Sequence, residues 1–176
     1  MKREKTEILE AIIQLEWNMF QKVRNTGGRA GCQDDWETFY IMRKSQFTSW
    51  KKELLLSYER DLLDGESAGR NLVMEKYAYM MESTVPEEYR RIAEDLPKIS
   101  EEKKKLIEGI VSIQVSWREE MAGEYPQLSG QARIIHTEED TAEDISFETY
   151  LRGELKTYSM ETLVRYGQLV AEYAKA

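Results

Sequence analysis

The sequence contains little cysteine, proline or histidine, and it has no long run of apolar residues. Its 176 residues include one cysteine, three prolines and one histidine. A single cysteine excludes an intramolecular disulfide and any metal site built from several cysteines. Because so few prolines and only ten glycines interrupt the chain, long helices are expected.

Membrane-spanning and nucleic-acid-binding classes are both disfavoured. No apolar run approaches the roughly 20 residues of a membrane-spanning helix. The first residues mix charged and apolar side chains, which is typical of a helix and not of a signal peptide. We therefore expect a cytoplasmic protein. A formal net charge of -8 argues against binding nucleic acids or anionic membranes, because both need clustered Lys and Arg.

Apolar residues recur every three or four positions along most of the chain, which is the period of an amphipathic helix. The predicted helical segments are 7–23, 35–50, 72–82, 86–95, 101–123, 147–158 and 160–173. The predicted fold class is therefore all-α, with residues 1–176 forming a single helical domain. We expect an irregular bundle of about six or seven helices and no sheet.

The second predicted helix has a cap at its start and an undecided end. Asp34, with Glu37 three positions later, has the form of a capping box. The side chains predicted to face inward are mostly aromatic: Trp36, Phe39, Tyr40, Phe47 and Trp50. The helix at 35–50 either continues to residue 64 or restarts near Ser49, and the sequence permits both.

Residues 126–145 lack helical periodicity. A structureless connection of about 20 residues is unusual within a compact domain, so we predict a mobile loop or a lid. This segment contains His136, the one histidine of the chain. A catalytic pair of Cys32 and His136 would require the loop to fold over the cysteine, and a buried, unreactive Cys32 is the preferred interpretation.

The most informative pattern is a polar residue inside the apolar face of each of four predicted helices. On a helical wheel with about 100° per residue, these residues are Glu16, Arg43, Gln114 and Glu154. Gln46 lies at the edge of the face that holds Arg43. An uncompensated buried charge costs several kcal/mol, so we expect these side chains to meet. Arg43 would then bind a carboxylate through two parallel hydrogen bonds.

Two buried acids and one buried arginine leave one carboxylate to be balanced. Either Arg29, Arg118 or Arg152 supplies the second positive charge, or one glutamate is left to bind a cation, hold a proton or act as a base. Two interpretations therefore stay open. The polar centre is a network of ion pairs that only fixes helix register, or it is a ligand-binding or catalytic site.

The loop before the second helix, from Gly27 to Gln33, has the most distinctive local sequence. Glycines ahead of a helix N-terminus can bind an anion, and Arg29 adds positive charge. The loop is neither a P-loop nor a dinucleotide-binding motif, and no predicted strand precedes it. A tight turn with glycine in the left-handed conformation is the simpler interpretation.

Metal sites are not indicated. One histidine excludes a di-iron bundle with two Glu-x-x-His motifs. The acidic run at 138–140 lacks the spacing and the glycine of an EF-hand loop. We predict neither a metal nor a cofactor.

Characteristic strings occur in three parts of the chain. They are GGRA at 27–30 with CQD at 32–34 and MR at 42–43, EKYA at 75–78 with MME at 80–82, and FETYLRGE at 147–154. Together they resemble an uncharacterised bacterial family, domain of unknown function 4125, over nearly the whole chain. The resemblance implies a bacterial, stand-alone helical domain without an established activity, and it carries over no catalytic residues.

The first functional hypothesis is a small-molecule or metabolite site between the first, second and C-terminal helices. Its ligand would be small and either anionic or zwitterionic, and whether the protein is an enzyme is left open. The candidate catalytic residues are Glu16 and Glu154, and the candidate ligand-binding residues are Arg29, Gln33, Arg43, Gln46 and Gln114.

The second hypothesis is a structural or protein-interaction module whose buried polar groups only specify the fold. Trp17, at the margin of the apolar face of the first helix, would then contribute to a partner surface. The sequence leaves the oligomeric state open.

Overall fold

In a computed structural model, which describes residues 2–25 and 27–176, the protein is all-α. The described residues form nine α-helices, eight of them with at least seven residues, and no strand, so the predicted number of six or seven is slightly low. None of these helices is both long enough and apolar enough to cross a lipid bilayer. The helices are α1 Lys5–Gln21, α2 Trp36–Thr48, α3 Lys52–Ser67, α4 Leu72–Thr84, α5 Pro86–Ile92, α6 Glu101–Glu124, α7 Pro126–Ser129, α8 Phe147–Lys156 and α9 Met160–Ala174.

The chain divides into two compact units, a first that ends at Met74 and a second that runs from Glu75 to Ala176. The boundary falls within α4. In the first unit, α1 packs against α2 and α3. The predicted apolar face of α1 is buried and includes Ile8, Leu9, Ile12, Ile13, Met19 and Phe20. Each such side chain contributes roughly 1.5–3 kcal/mol through its burial.

Helix α2 differs from the prediction at its start. Asp35, not Asp34, caps the helix, and its carboxylate accepts a hydrogen bond from the backbone N–H of Thr38 at 3.0 Å. The reason is that Asp34 belongs to a short 3₁₀ turn, Gly31–Asp34, which precedes the helix. Trp36 was predicted to face inward but is 39% exposed, because as the first residue of the helix it packs at the margin of the unit.

The open question about the end of α2 is answered by a break in the chain. Helix α2 ends at Thr48 and α3 begins at Lys52, so the helix restarts near Ser49. Trp50 lies in this break and is buried. Its ring packs edge-on against that of Phe47, with 4.9 Å between ring centroids. The break thus places an aromatic side chain in the core between the two helices.

In the second unit, α6 packs against α7, α8 and α9. Three serines accept hydrogen bonds at the helix starts, as caps do: Ser100 for α6, Ser146 for α8 and Ser159 for α9. Helix α8 approaches α4 closely at Gly153. A Cβ atom at this position would lie 3.0 Å from the backbone oxygen of Lys76. This close approach positions α8 beside the C-terminal half of α4.

The connection at 126–145 contains two short helical pieces, α7 and a 3₁₀ turn at Thr137–Glu139. Its backbone also bonds to the start of α8. The carbonyl oxygens of Ile134 and Ile135 accept hydrogen bonds from the N–H groups of Phe147 and Glu148, at 2.7 and 3.0 Å. The segment is therefore attached to α8. That it acts as a mobile loop or a lid stays a prediction, as does the single domain.

Candidate functional site

Three of the four polar residues predicted on apolar helix faces are buried, namely Glu16, Arg43 and Glu154. Gln114 is half-buried and donates a hydrogen bond to the hydroxyl of Tyr166 at 2.6 Å. Glu16 and Arg43 belong to the first unit, while Gln114 and Glu154 belong to the second. A meeting of all four side chains would involve both units, and it stays a prediction.

Glu16 and Arg43 form the bidentate ion pair expected from the sequence. Glu16 is 2% exposed and Arg43 6% exposed. The Nε and Nη2 atoms of Arg43 donate to the two carboxylate oxygens of Glu16, at 2.8 and 2.6 Å. Since helices α1 and α2 each contribute one partner, this pair holds the two helices in register.

Further side chains complete the network around this pair. The hydroxyl of Tyr58, on α3, donates to Glu16 Oε1 at 2.6 Å. Arg43 Nη1 donates to the side-chain oxygen of Gln46 at 2.8 Å, and its guanidinium lies 4.7 Å from the ring centroid of Phe47. Both oxygens of Glu16 therefore have partners. Tyr58 was not predicted, although a tyrosine on a buried face needs a hydrogen-bond partner.

Gln33 fastens the glycine-rich loop to the end of α1. Its side-chain nitrogen donates to the carbonyl oxygens of Phe20 and Val23, at 2.9 and 3.0 Å. Its side-chain oxygen accepts from the backbone N–H of Ala30 at 2.9 Å. Gly28 has a φ of 91°, the left-handed conformation that favours glycine. These contacts are those of a tight turn between helices.

Arg29 and Cys32 both face outward in this loop. The guanidinium of Arg29 donates to the carboxylate of Asp34 from Nε and Nη2, at 2.9 and 2.8 Å. The cationic group of the loop is thus paired with an acid of the same loop. The expectation of a buried Cys32 is wrong, since this thiol is exposed. The 3₁₀ turn directs Gln33 into the core and its neighbour Cys32 outward.

Buried charges at the start of the second unit were missed by the sequence analysis. Glu75 and Lys76, on α4, are both buried. Lys76 Nζ donates to the hydroxyl of Tyr150 at 3.2 Å and lies 4.8 Å from the centroid of that ring. The signal that could have identified these buried charges was the presence of two adjacent charged residues within a run of apolar residues.

A cleft of about 370 Å³ opens on the second unit, and we call it the Lys156 cleft. It lies where the C-terminal half of α4, the 3₁₀ turn at Thr137 and α8 come together. Its lining residues are Tyr79, Glu82, Ser83, Thr137, Glu148, Thr149, Arg152, Gly153 and Lys156. Both positive and negative side chains line it, together with four hydroxyl-bearing side chains, so it is suited to a small polar molecule.

Arg152, one of the two cations of this cleft, is bonded to several protein groups. Its Nε and Nη2 atoms donate to both carboxylate oxygens of Glu108, at 2.7 and 3.1 Å. Nη2 also donates to Glu148 at 2.9 Å, and Nη1 to the hydroxyl oxygen of Thr137 at 3.0 Å. Burial acts to lower the pKa of Arg152, but the two carboxylates outweigh it and raise the pKa. Arg152 therefore stays charged and fixed.

A hydrogen-bonded chain leads from Arg152 to Asp140 through residues that line the cleft. The hydroxyls of Thr137 and Thr149 share a hydrogen bond of 2.8 Å, and Thr149 donates to Asp140. Ser83 also donates to Asp140, at 2.6 Å. Burial acts to raise the pKa of Asp140, but hydrogen bonds from Ser83, Thr149 and Ser146 hold it below its ordinary value. Asp140 thus fastens the segment before α8 to α4 and α8.

Of the two cations that line the cleft, Lys156 makes fewer hydrogen bonds than Arg152. Its side chain is only 14% exposed, and Nζ has one long contact, 3.4 Å to Glu82 Oε2. Nζ also lies 5.4 Å from the ring centroid of Tyr79. Glu82 is 60% exposed. An ammonium group has three donors, so Lys156 can bind a ligand anion. On a helical wheel it looks like a solvated lysine, and the sequence analysis did not select it.

Among residues 2–25 and 27–176, no three His, Cys, Asp or Glu side chains lie close enough to share an ion. His136, the residue most able to bind a transition metal, pairs with Glu119 at 3.0 Å.

A family model described as Protein of unknown function (DUF4125) matches residues 6–176. No curated protein and no solved structure matches the chain.

Proposed function

Since the chain belongs to the DUF4125 family of proteins of unknown function, its role has to be inferred from its geometry, and we propose that it binds a small polar metabolite in the Lys156 cleft. This places the ligand in the second unit and not beside Glu16 and Arg43. The ligand class is the one expected from the sequence, small and anionic or zwitterionic.

The observation that carries the proposal is the state of Lys156. Its side chain is largely buried, yet its ammonium makes a single, long hydrogen bond to an exposed carboxylate, that of Glu82. A buried charge without close compensation costs free energy. A ligand carboxylate or phosphate at this ammonium would remove that cost.

The shape and composition of the cleft support the same function. Its volume of about 370 Å³ lies at the lower end of the range for small-molecule sites, roughly 300–1,000 Å³. Arg152 and Asp140 hold its walls through ion pairs and hydrogen bonds. A rigid wall lowers the entropic cost of binding.

We assign the Glu16–Arg43 pair a structural role. Both oxygens of Glu16 accept hydrogen bonds from Arg43, and Oε1 also accepts one from Tyr58. Such a completed network fixes helix register. Gln46 and Gln33, also chosen from the sequence as ligand-binding candidates, likewise bond to neighbouring protein groups.

The proposal is tested by ligand screening with a matched pair of variants. Small carboxylates, phosphates and amino acids are screened by thermal shift and then by calorimetry. In Lys156→Met the apolar stem is kept and the charge is lost, and we expect binding to weaken roughly tenfold or more. Lys98→Met is the control, because Lys98 is an exposed lysine of the same unit in a surface ion pair. Equal binding by both variants, or no binding by the wild type, would contradict the proposal.

Location and source are further parts of the proposal. We infer a cytoplasmic location, supported by the single cysteine, since disulfide-rich sequences are typical of oxidising compartments. The bacterial source implied by the family resemblance is proposed on that resemblance alone. Whether the ligand is also chemically transformed is left open.

A further inference from the structure

We infer that the ligand of the Lys156 cleft is a zwitterion of the α-amino-acid type, with its carboxylate on Lys156 and its ammonium group beside Glu82 and Glu148. This inference rests on the proposed function of the cleft. It narrows the ligand from a small anion or zwitterion to a molecule that carries both charges close together.

The first argument is the balance of charge in the lining. Lys156 and Arg152 are the cations, and Glu82 and Glu148 are the carboxylates. A simple anion bound at Lys156 would lie near two carboxylates of its own sign. A simple cation would lie near two positive groups. A molecule that presents both charges avoids each repulsion.

The second argument concerns which groups still have hydrogen-bonding capacity. Arg152 already donates to Glu108, Glu148 and Thr137. Lys156 has one long contact only, so it is the principal donor left for a ligand carboxylate. Glu148 accepts one hydrogen bond at each oxygen, from the backbone N–H of Thr137 and from Arg152. A carboxylate has about four acceptor positions, so Glu148 can accept further.

The third argument is the direction of the hydroxyl hydrogens. Ser83 and Thr149 both donate to Asp140. Because Thr149 has thereby used its hydrogen, Thr137 must donate the hydrogen bond that these two threonines share. The hydroxyls of Ser83, Thr137 and Thr149 therefore offer a ligand only their oxygen lone pairs. Together with Glu82 and Glu148 they form an acceptor-rich wall, which suits the three N–H donors of an ammonium group.

The experiment compares amino acids with matched probes that each lack one of the two charges. A panel of small α-amino acids, including glycine, alanine and serine, is titrated by calorimetry and by NMR. For each amino acid that binds, the hydroxy acid of the same skeleton lacks the ammonium, and the decarboxylated amine lacks the carboxylate. For serine these are glycerate and ethanolamine. We expect both counterparts to bind roughly tenfold more weakly or worse.

A second measurement uses Glu82→Gln, which removes an exposed carboxylate with one contact. We expect it to weaken the amino acid roughly two- to fivefold, the range of a partly exposed ion pair, and to leave the hydroxy acid unweakened. Glu94→Gln, a substitution of an exposed acid of the same unit, should change neither.

The possible results separate the inference from the proposed function. If hydroxy acids or phosphate bind as tightly as amino acids, the zwitterion inference is overturned while the cleft remains a binding site. The same holds if Glu82→Gln weakens both probes equally. If no amino acid, carboxylate or phosphate binds the wild type, both the inference and the proposed function fail.

Discussion

The side chains of Glu16, Arg43 and Tyr58 show how one buried charge is accommodated at the scale of single residues. The carboxylate lies in an apolar environment, where its charge alone would be unfavourable. Two hydrogen bonds from Arg43 and one from Tyr58 compensate for the lost water. The compensation is complete only while all three side chains are present.

Glu16→Gln is therefore expected to destabilise the first unit strongly. The substitution keeps the shape of the side chain but breaks the buried ion pair with Arg43, and breaking such a pair costs about 3–5 kcal/mol. The free energy of unfolding in urea measures this loss. Glu66→Gln, an exposed position of the same unit, should change it by no more than about 0.5 kcal/mol. A Glu16→Gln protein as stable as the wild type would mean that Glu16 is a strained acid kept for function.

At the scale of helices, the second unit depends on how α8 and the preceding segment are attached to α4. Two features do this. Gly153 allows the backbones of α8 and α4 to approach closely. Asp140 accepts hydrogen bonds from Ser83 on α4, from Thr149 on α8 and from the backbone of Ser146. The wall of the Lys156 cleft depends on both.

Gly153→Val tests the close approach. Its Cβ would lie 3.0 Å from the Lys76 backbone oxygen and from Met80 Cγ, and a backbone oxygen cannot give way without moving the helix. We expect a loss of about 1–3 kcal/mol in unfolding free energy. Gly109→Val is the matched control on α6, since no atom lies within 4 Å of the added Cβ. Equal effects of the two substitutions would show that α8 and α4 do not need this contact.

Acid should loosen the attachment at Asp140. The pKa of Asp140 and that of Glu148 are both held below their ordinary values, because hydrogen bonds and, for Glu148, the charge of Arg152 outweigh the effect of burial. Carboxyls whose folded pKa is lowered contribute stability above their unfolded pKa, about 3.9 for Asp and 4.3 for Glu. That contribution is lost as the pH falls through the lower, folded values.

The urea stability of the wild type should consequently fall between pH 7 and pH 3. In Asp140→Asn one of the two groups is absent, so the stability at neutral pH is lower and its decrease on acidification is smaller. Asp144→Asn changes an exposed acid of the same segment and should retain the decrease seen in the wild type. An equally steep acid dependence in Asp140→Asn would exclude Asp140 as a source of it.

At the scale of the whole molecule, the chain folds as two compact units whose polar centres have different characters. In the Glu16–Arg43 network of the first unit, both carboxylate oxygens of Glu16 accept hydrogen bonds from protein side chains. The cleft of the second unit contains a largely buried lysine whose ammonium has one long hydrogen bond. The ligand-screening and matched-probe experiments test the second unit, and Glu16→Gln tests the first unit.

Several features followed from local sequence alone. Helical periodicity located the long helices other than α3 to within a few residues but left the start of α3 open, and the wheel of α1 identified Glu16 as buried. These predictions succeed because burial of one helix face depends on residues three or four positions apart. The pairing of Arg43 with a carboxylate also followed, since a buried arginine requires one.

Other features were decided only by the tertiary structure. The Lys156 cleft joins side chains from positions near 82, 137, 148 and 156, and no local period relates these positions. Lys156 itself follows a buried leucine and has the pattern of an exposed lysine. Likewise, Tyr58 reaches the carboxylate of Glu16 only because α3 packs on α1. The sequence alone determined which helices form and which faces they bury, because those depend on near neighbours. The packing of distant segments decided which polar groups meet and which, like Lys156, keep a single long hydrogen bond.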